Sequence, residues 1–234
     1  RQMCIRDRVD SNHELHLTDK APDPGVMPGE ALIRVSRVLL THADAGAAGL
    51  ASLPPSVPPF VGTVGHLFCG TVKKIDFPAD APETVLQKKN LVGKRVVAAP
   101  SIACAHCEMC RVGLAAHCRT RTVAGMYARD GACAEFISWP VSQLVAVPDG
   151  LSDEKAVFAH PLACALHAAH MLRAENKAFV TVLGDSLGAL LTAQALARVN
   201  KAVRLLSTKP DRARLCERWG IRHRPVTEAG RRQD

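Results

Sequence analysis

Short runs of β-branched and other apolar residues, broken by Gly and Pro, occupy the chain as far as about residue 150. Residues 31–40 (A-L-I-R-V-S-R-V-L-L), 69–75 (C-G-T-V-K-K-I), 94–100 (K-R-V-V-A-A-P), 133–140 (C-A-E-F-I-S-W-P) and 143–148 (Q-L-V-A-V-P) each read as a strand. The turn at 148–154 (P-D-G-L-S-D-E) opens a different texture. Ser152 is a candidate helix N-cap, but Lys155 stands where Glu or Gln would complete a capping box. Ala, Leu and His then recur at helical spacing to about Arg173, with Pro161 starting a new turn. Beyond come a strand at 178–183, a glycine-bearing turn, a helix from Leu187 to Arg198, a strand at 202–206 and a helix from Asp211 to Trp219. That alternation is the βαβ pattern of a parallel sheet. The chain thus predicts a strand-rich region followed by the beginning of an α/β domain.

Composition alters this picture little. With 234 residues and 47% hydrophobic content there is apolar material for one large domain or two small ones. No apolar run approaches the roughly 18 residues of a membrane span, and no charged-then-apolar leader opens the chain. A soluble protein of the reducing cytoplasm, with no membrane partner, is the expectation. The opening R-Q-M-C-I-R-D-R has neither strand nor helix period and is set aside as a fragment edge, a misassigned start or an artefact.

Charge is distributed more tellingly. The net charge is +8, and Arg198 to Asp234 holds eleven Lys and Arg against four Asp and Glu. A basic end suits phosphate, from a nucleotide cofactor or, as the rival, from nucleic acid; a merely solvated basic helix is the plain alternative. Aromatic residues make up only 4% of the chain, so no stacking set accompanies the cations, and nucleic acid is disfavoured.

The densest chemistry lies at Cys104, Cys107, Cys110 and Cys118, spaced C-x2-C-x2-C-x7-C. Four thiolates on short loops close a tetrahedral shell around one zinc ion, and a shell with no open position is structural. Two disulfides fit less well, because nothing marks the chain as secreted and its nine cysteines are an odd number. An iron–sulfur cluster fits less well too: the ferredoxin run continues x3-C-P, whereas here the gap is seven and Arg119 follows Cys118.

The order of motifs resembles the zinc-containing medium-chain dehydrogenase/reductase family, the alcohol and threonine dehydrogenase relatives. The likeness rests on residues 28–35 (P-G-E-A-L-I-R-V), 64–66 (V-G-H), 91–97 (L-V-G-K-R-V-V), the four-cysteine loop, 130–136 (D-G-A-C-A-E-F), 160–168 (H-P-L-A-C-A-L-H-A) and 182–188 (V-L-G-D-S-L-G). It implies a GroES-like β-barrel domain over 9–155, carrying the structural zinc loop, followed by a partial Rossmann domain over 156–234. The active site would lie between them. The implied reaction moves a hydride between a nicotinamide cofactor and a small alcohol or carbonyl substrate, in a homodimer or homotetramer.

The same resemblance places the candidate catalytic residues. A second, catalytic zinc would take a Cys, a His and a Glu or Cys. Thr41 stands at the Cys position, with Asp44 at the accompanying acid. His66 matches the His, although Leu67 replaces the acid that follows it, and His160 stands at the third ligand position. A neutral hydroxyl is a poor zinc ligand, so the site needs His42 to supply a third imidazole. His160, Cys164 and His167 share one helix face, as a metal face or as packing.

For the cofactor, Gly184 and Gly188 follow a strand and open a helix, the context a dinucleotide loop requires. The usual G-x-G-x-x-G is one residue short, with Ser186 between them. The second strand ends in Ser207, Thr208 and Lys209, with Arg212 three residues on and no acid at its end. Such a turn suits a 2′-phosphate, favouring NADP over NAD. Only one βαβαβ half fits after residue 176, so a truncated domain with an uncovered sheet edge is expected. The rival to an active oxidoreductase is a non-catalytic zinc-binding relative that keeps only the fold.

Overall fold

The computed structural model describes residues 3–12, 14–22, 24–49 and 60–228. Two compact units divide the chain, Arg1–Phe158 and Ala159–Asp234.

The first unit begins with β1 (Met3–Val9), β2 (Leu15–Pro22), β3 (Glu30–Leu39), α1 (His42–Ala47), β4 (Gly62–Thr63), β5 (Leu67–Ile75) and α2 (Glu83–Leu86). It continues through β6 (Arg95–Val97), β7 (Ser101–Ile102), α3 (Glu108–Arg111), β8 (Thr122–Ala124), β9 (Ala128–Arg129), β10 (Phe136–Pro140), β11 (Val145–Ala146) and α4 (Asp153–Ala156). A five-stranded sheet in the order β10-β3-β5-β6-β11 forms its centre. The alternation in β3 buries Ala31 and Ile33 on one face, opposite Trp139 and Ile137 of β10. Phe68 of β5 meets Trp139 edge-on, with ring centroids 5.3 Å apart, and both rings are buried.

The opening stretch, set aside for want of any period, forms a strand from Met3 on. β1 pairs antiparallel with β2 and β4, and Asp7 N–H donates to the carbonyl of Cys133. Strand pairing is made by backbone groups, so a segment without alternation still enters a sheet when a partner edge is offered.

The helical stretch expected from Ser152 to Arg173 is two helices, α4 and, in the second unit, α5 (Ala159–Leu172). Pro161 is the third residue of α5, where the missing N–H has no intrahelical partner to lose. Ser152 occupies the N-cap position of α4 but makes no side-chain capping bond. Arg95 anchors this end of the unit, its Nη1 donating to Asp153 Oδ1 at 2.8 Å and to the carbonyl of Leu151 at 2.6 Å.

The second unit adds β12 (Val180–Leu183), α6 (Leu187–Ala197), β13 (Val203–Ser207), α7 (Pro210–Arg218) and β14 (Arg222–Pro225) to α5. The three strands pair in parallel in the order β12-β13-β14, the βαβαβ unit expected from the alternation. Val182, Leu190, Ala193, Leu196, Val203 and Leu205 are buried in its core. The far edge of β12 has no partner strand among the described residues, and Leu166, Met171, Phe179 and Leu183 are exposed.

Candidate metal and cofactor sites

The four-cysteine loop gathers as its spacing implies. The Sγ atoms of Cys104, Cys107, Cys110 and Cys118 all lie within 4.8 Å of one another. Individual separations are 3.5 Å for Cys107–Cys110, 3.8 Å for Cys107–Cys118 and 4.0 Å for Cys104–Cys110. A tetrahedron with zinc–sulfur bonds of about 2.3 Å has sulfur–sulfur edges of about 3.8 Å. These distances fit that cage and are far too long for a disulfide, whose sulfurs sit at about 2.05 Å.

Backbone N–H groups support the sulfurs: Cys104 N–H donates to Cys118 Sγ and Cys107 N–H to Cys104 Sγ, both at 3.3 Å. Ala105, in the first knuckle, takes a left-handed φ of 64° that lets the chain turn so tightly. The Thr120 hydroxyl and backbone donors pull the Cys104 thiol down to about 5, whereas burial and neighbouring sulfurs push Cys110 up to about 12. Four crowded sulfurs cannot all carry charge without a cation among them.

In the first unit the second candidate cluster centres on Asp44. Thr41 is the N-cap of α1 and forms a full capping box with Asp44 at N3. The Asp44 carboxylate, 3% exposed, accepts from the Thr41 N–H at 2.7 Å, the Thr41 hydroxyl at 3.2 Å, the His66 N–H at 3.1 Å and His66 Nδ1 at 2.8 Å. Burial pushes this carboxyl up, but the bonds from His66 and Thr41 outweigh it and hold the group below its ordinary range. With Nδ1 committed to the carboxylate, Nε2 is the ring nitrogen left for other partners.

Gly65 aims this histidine. Its φ of +94° favours glycine, and a Cβ there would meet Cys133 Sγ at 2.8 Å.

Thr41 and His42 do not build a zinc site around His66. The Thr41 hydroxyl also accepts the Ala43 N–H at 3.1 Å, so it serves as a helix cap. His42, the first residue of α1, is exposed. Among the described residues, no trio of His, Cys, Asp or Glu ligand atoms closes around His66 within this unit.

His160 belongs to the second unit, inside the first turn of α5, rather than at its cap. Its Nε2 lies 3.7 Å from Cys164 Sγ.

The glycine loop also sits in the second unit. Gly184 takes φ +134°, a conformation in which an L side chain is strained, and its N–H donates to the Leu206 carbonyl at 3.0 Å. A Cβ on Gly188 would meet only Ser186 Oγ, at 3.7 Å, so the backbone there is open to close approach. Ser186 is the N-cap of α6, accepting the Ala189 N–H at 3.1 Å. The earlier amides of α6 have no intrahelical partner, as at the start of any helix. Strand β13 brings Ser207 alongside this loop, and Lys209 stands at the N-cap position of α7 without a side-chain capping bond, with Lys209 and Arg212 exposed.

Asp185, between Gly184 and Ser186, had no role in the sequence reading. Its carboxylate accepts from the Ser207 and Thr208 hydroxyls and from the Thr208 N–H at 3.0 Å. The bonds from Ser207 and Thr208 hold it below the usual carboxylate range. The available signal was an acid directly after the first glycine, facing a Ser-Thr pair at the next strand end.

Comparisons with known proteins agree with this architecture. The alcohol dehydrogenase GroES-like domain family matches residues 27–149, just over half of the chain. L-threonine 3-dehydrogenase of Chelativorans sp. (strain BNC1) is 28% identical over 207 residues, covering 88% of this chain and 57% of that protein. Erythritol/L-threitol dehydrogenase of Mycolicibacterium smegmatis is 31% identical over 218 residues, covering 89% and 58%. The chain thus spans less than three fifths of the length of these relatives. A zinc-binding dehydrogenase from Sinorhizobium meliloti 1021, solved with NADP bound, superposes with a TM-score of 0.78 at 26% identity, over 99% of this chain and 64% of its own. With its GroES-like region, four-cysteine loop and partial Rossmann unit, the chain belongs to the zinc-containing medium-chain dehydrogenase/reductase family of alcohol dehydrogenase-like oxidoreductases.

Proposed function

We propose that this chain carries the barrel and the adenosine-binding half of a nicotinamide-dependent oxidoreductase acting on small alcohols or carbonyls. The observation that carries the reading is the β12–Gly184–α6 turn. Gly184, at a φ that glycine takes without strain, precedes a helix capped by Ser186, and Gly188 in the first turn of that helix leaves its start open to close approach. A bound nicotinamide would supply the hydride chemistry. This chain's residues would then place the pyrophosphate at Gly184–Gly188 and the adenosine ribose near the β13–α7 turn at Ser207 and Lys209.

The four-cysteine cage fits one zinc, and that ion would brace the loop without taking part in the reaction. The donors around His66 do not fit a second zinc: Thr41 is spent as a helix cap, and among the described residues no trio of ligand atoms closes around the imidazole within the first unit. We therefore assign no step to a catalytic metal. Asp44 would instead hold His66 in the Nδ1–H form, leaving Nε2 to accept or return the proton of a substrate hydroxyl. NADP is the cofactor suggested by Lys209 and Arg212, and Asp185 acts against it.

The loss of thiolate at Thr41 favours one second reading, a non-catalytic relative that retains the fold and the structural zinc. Dinucleotide titration followed by fluorescence separates the two readings. Saturable binding of NADH or NADPH supports the oxidoreductase; absence of binding in a folded, zinc-loaded chain leaves only the fold-keeping relative. Alcohols and polyols screened with the binding cofactor would then identify the substrate class.

A further inference from the structure

The end of the second strand is where a Rossmann unit distinguishes a ribose 2′-hydroxyl from a 2′-phosphate. In this chain that turn offers hydroxyls at Ser207 and Thr208, amides at Thr208 and Lys209, and exposed cations at Lys209 and Arg212. In isolation these groups invite a phosphate. In the folded chain the donors are already committed to a carboxylate from the neighbouring loop.

Asp185 Oδ1 accepts from the Ser207 hydroxyl, from the Thr208 N–H at 3.0 Å and, weakly, from the Lys209 N–H at 3.4 Å. Asp185 Oδ2 accepts from the Thr208 hydroxyl. Lys209 and Arg212 form no ion pair among the described residues, so neither holds the carboxylate away from the turn.

We propose that Asp185 sets cofactor choice, excluding 2′-phosphorylated dinucleotides and selecting NAD(H) by accepting a ribose hydroxyl. The proposal rests on the reading of the glycine loop as a dinucleotide site. An ionised carboxylate is an acceptor only, with about four lone-pair sites on its two oxygens. Oδ2 accepts the Thr208 hydroxyl and, weakly, the Thr208 N–H at 3.3 Å, and a carboxylate oxygen so engaged can still take a hydroxyl donor. A 2′-phosphate brings no hydrogen to donate at neutral pH and about −1.5 to −2 charges. It would have to displace Asp185 from all four donors or sit against it, and like charges brought together are strongly disfavoured. The acid that NAD-binding sites usually carry at the strand end is thus supplied here from the glycine loop, across from Ser207 and Thr208.

The test uses the full chain, loaded with zinc, and calorimetric titration with ADP, adenosine 2′,5′-bisphosphate, NADH and NADPH. The wild-type chain is expected to bind ADP and NADH about tenfold or more tighter than their 2′-phosphorylated counterparts. Asp185→Asn keeps the shape and removes the charge; it should narrow that ratio by about tenfold, mainly through gained 2′-phosphate affinity. Circular dichroism and the melting temperature check that the variant folds, and Asp185→Ser serves as a second variant. A wild-type preference for the 2′-phosphorylated ligands overturns the proposal. So does an unchanged ratio in the variants, or an equal loss for both ligand classes, which would make Asp185 a structural clamp only. If the wild-type chain binds none of the four ligands, the dinucleotide reading itself fails and the proposal falls with it.

Discussion

Replacing Asp44 with Ala strips a buried carboxylate from four half-buried donors. The Thr41 N–H, the Thr41 hydroxyl, the His66 N–H and His66 Nδ1–H all point to its two oxygens, at 2.7 to 3.2 Å. Each buried donor left unpaired costs about 1–3 kcal/mol, and water entering the vacated space offsets part of this. The expected loss is therefore about 3–5 kcal/mol, the range seen when a buried charged network loses one member.

Urea unfolding at pH 7 measures it, in a Trp219→Phe background so that fluorescence reports only buried Trp139 of the barrel. The pH dependence adds a sign. Folding lowers the Asp44 pKa, so its contribution is complete above the unfolded value of about 3.9 and drains away as pH falls through the folded value. The gap between wild type and variant should accordingly shrink as the pH falls below about 4. A variant within about 1 kcal/mol of wild type at pH 7, or a gap that does not change with acid, would refute the reasoning.

Three further outcomes follow from local geometry. Gly65→Ala forces a side chain into φ +94° with its Cβ 2.8 Å from Cys133 Sγ; destabilisation of about 2–4 kcal/mol is expected in the same urea assay. Ser186→Ala removes the α6 cap on the Ala189 N–H and should cost about 1 kcal/mol, read as a lower melting temperature of the second unit. A zinc chelator should expose the 104–118 loop, so that trypsin cleaves after Arg111 and Arg119 about tenfold faster than in the untreated chain.

Much of this architecture can be read from residue order because its causes are local. The Cys104–Cys118 spacing specifies a four-sulfur cage, since short loops leave the thiols few other arrangements. The alternation of Ala31 and Ile33 specifies which face of β3 is buried, and Gly184 before Leu187–Ala197 specifies the strand-to-helix turn. What escapes is set by neighbours distant in sequence. Arg1–Arg8 carries no period, yet β1 pairs because β2 and β4 offer it an edge. Thr41 looks like a failed metal ligand, whereas its hydroxyl is a working cap, a role that depends on Asp44 three residues on. The Ser207-Thr208-Lys209 turn looks ready for phosphate until Asp185, 22 residues away from Ser207, occupies its donors.

The metal content of the purified chain bears most directly on the assignment of a single, structural zinc. Inductively coupled plasma mass spectrometry should find one zinc per wild-type chain, and markedly less in Cys107→Ser, because the sulfurs 3.5–4.0 Å apart form one closed cage while Thr41 serves as a cap. A chain with no zinc would contradict the cage. Two zincs per chain, with one surviving Cys107→Ser and lost in His66→Ala, would contradict the claim that the His66 site works without a metal.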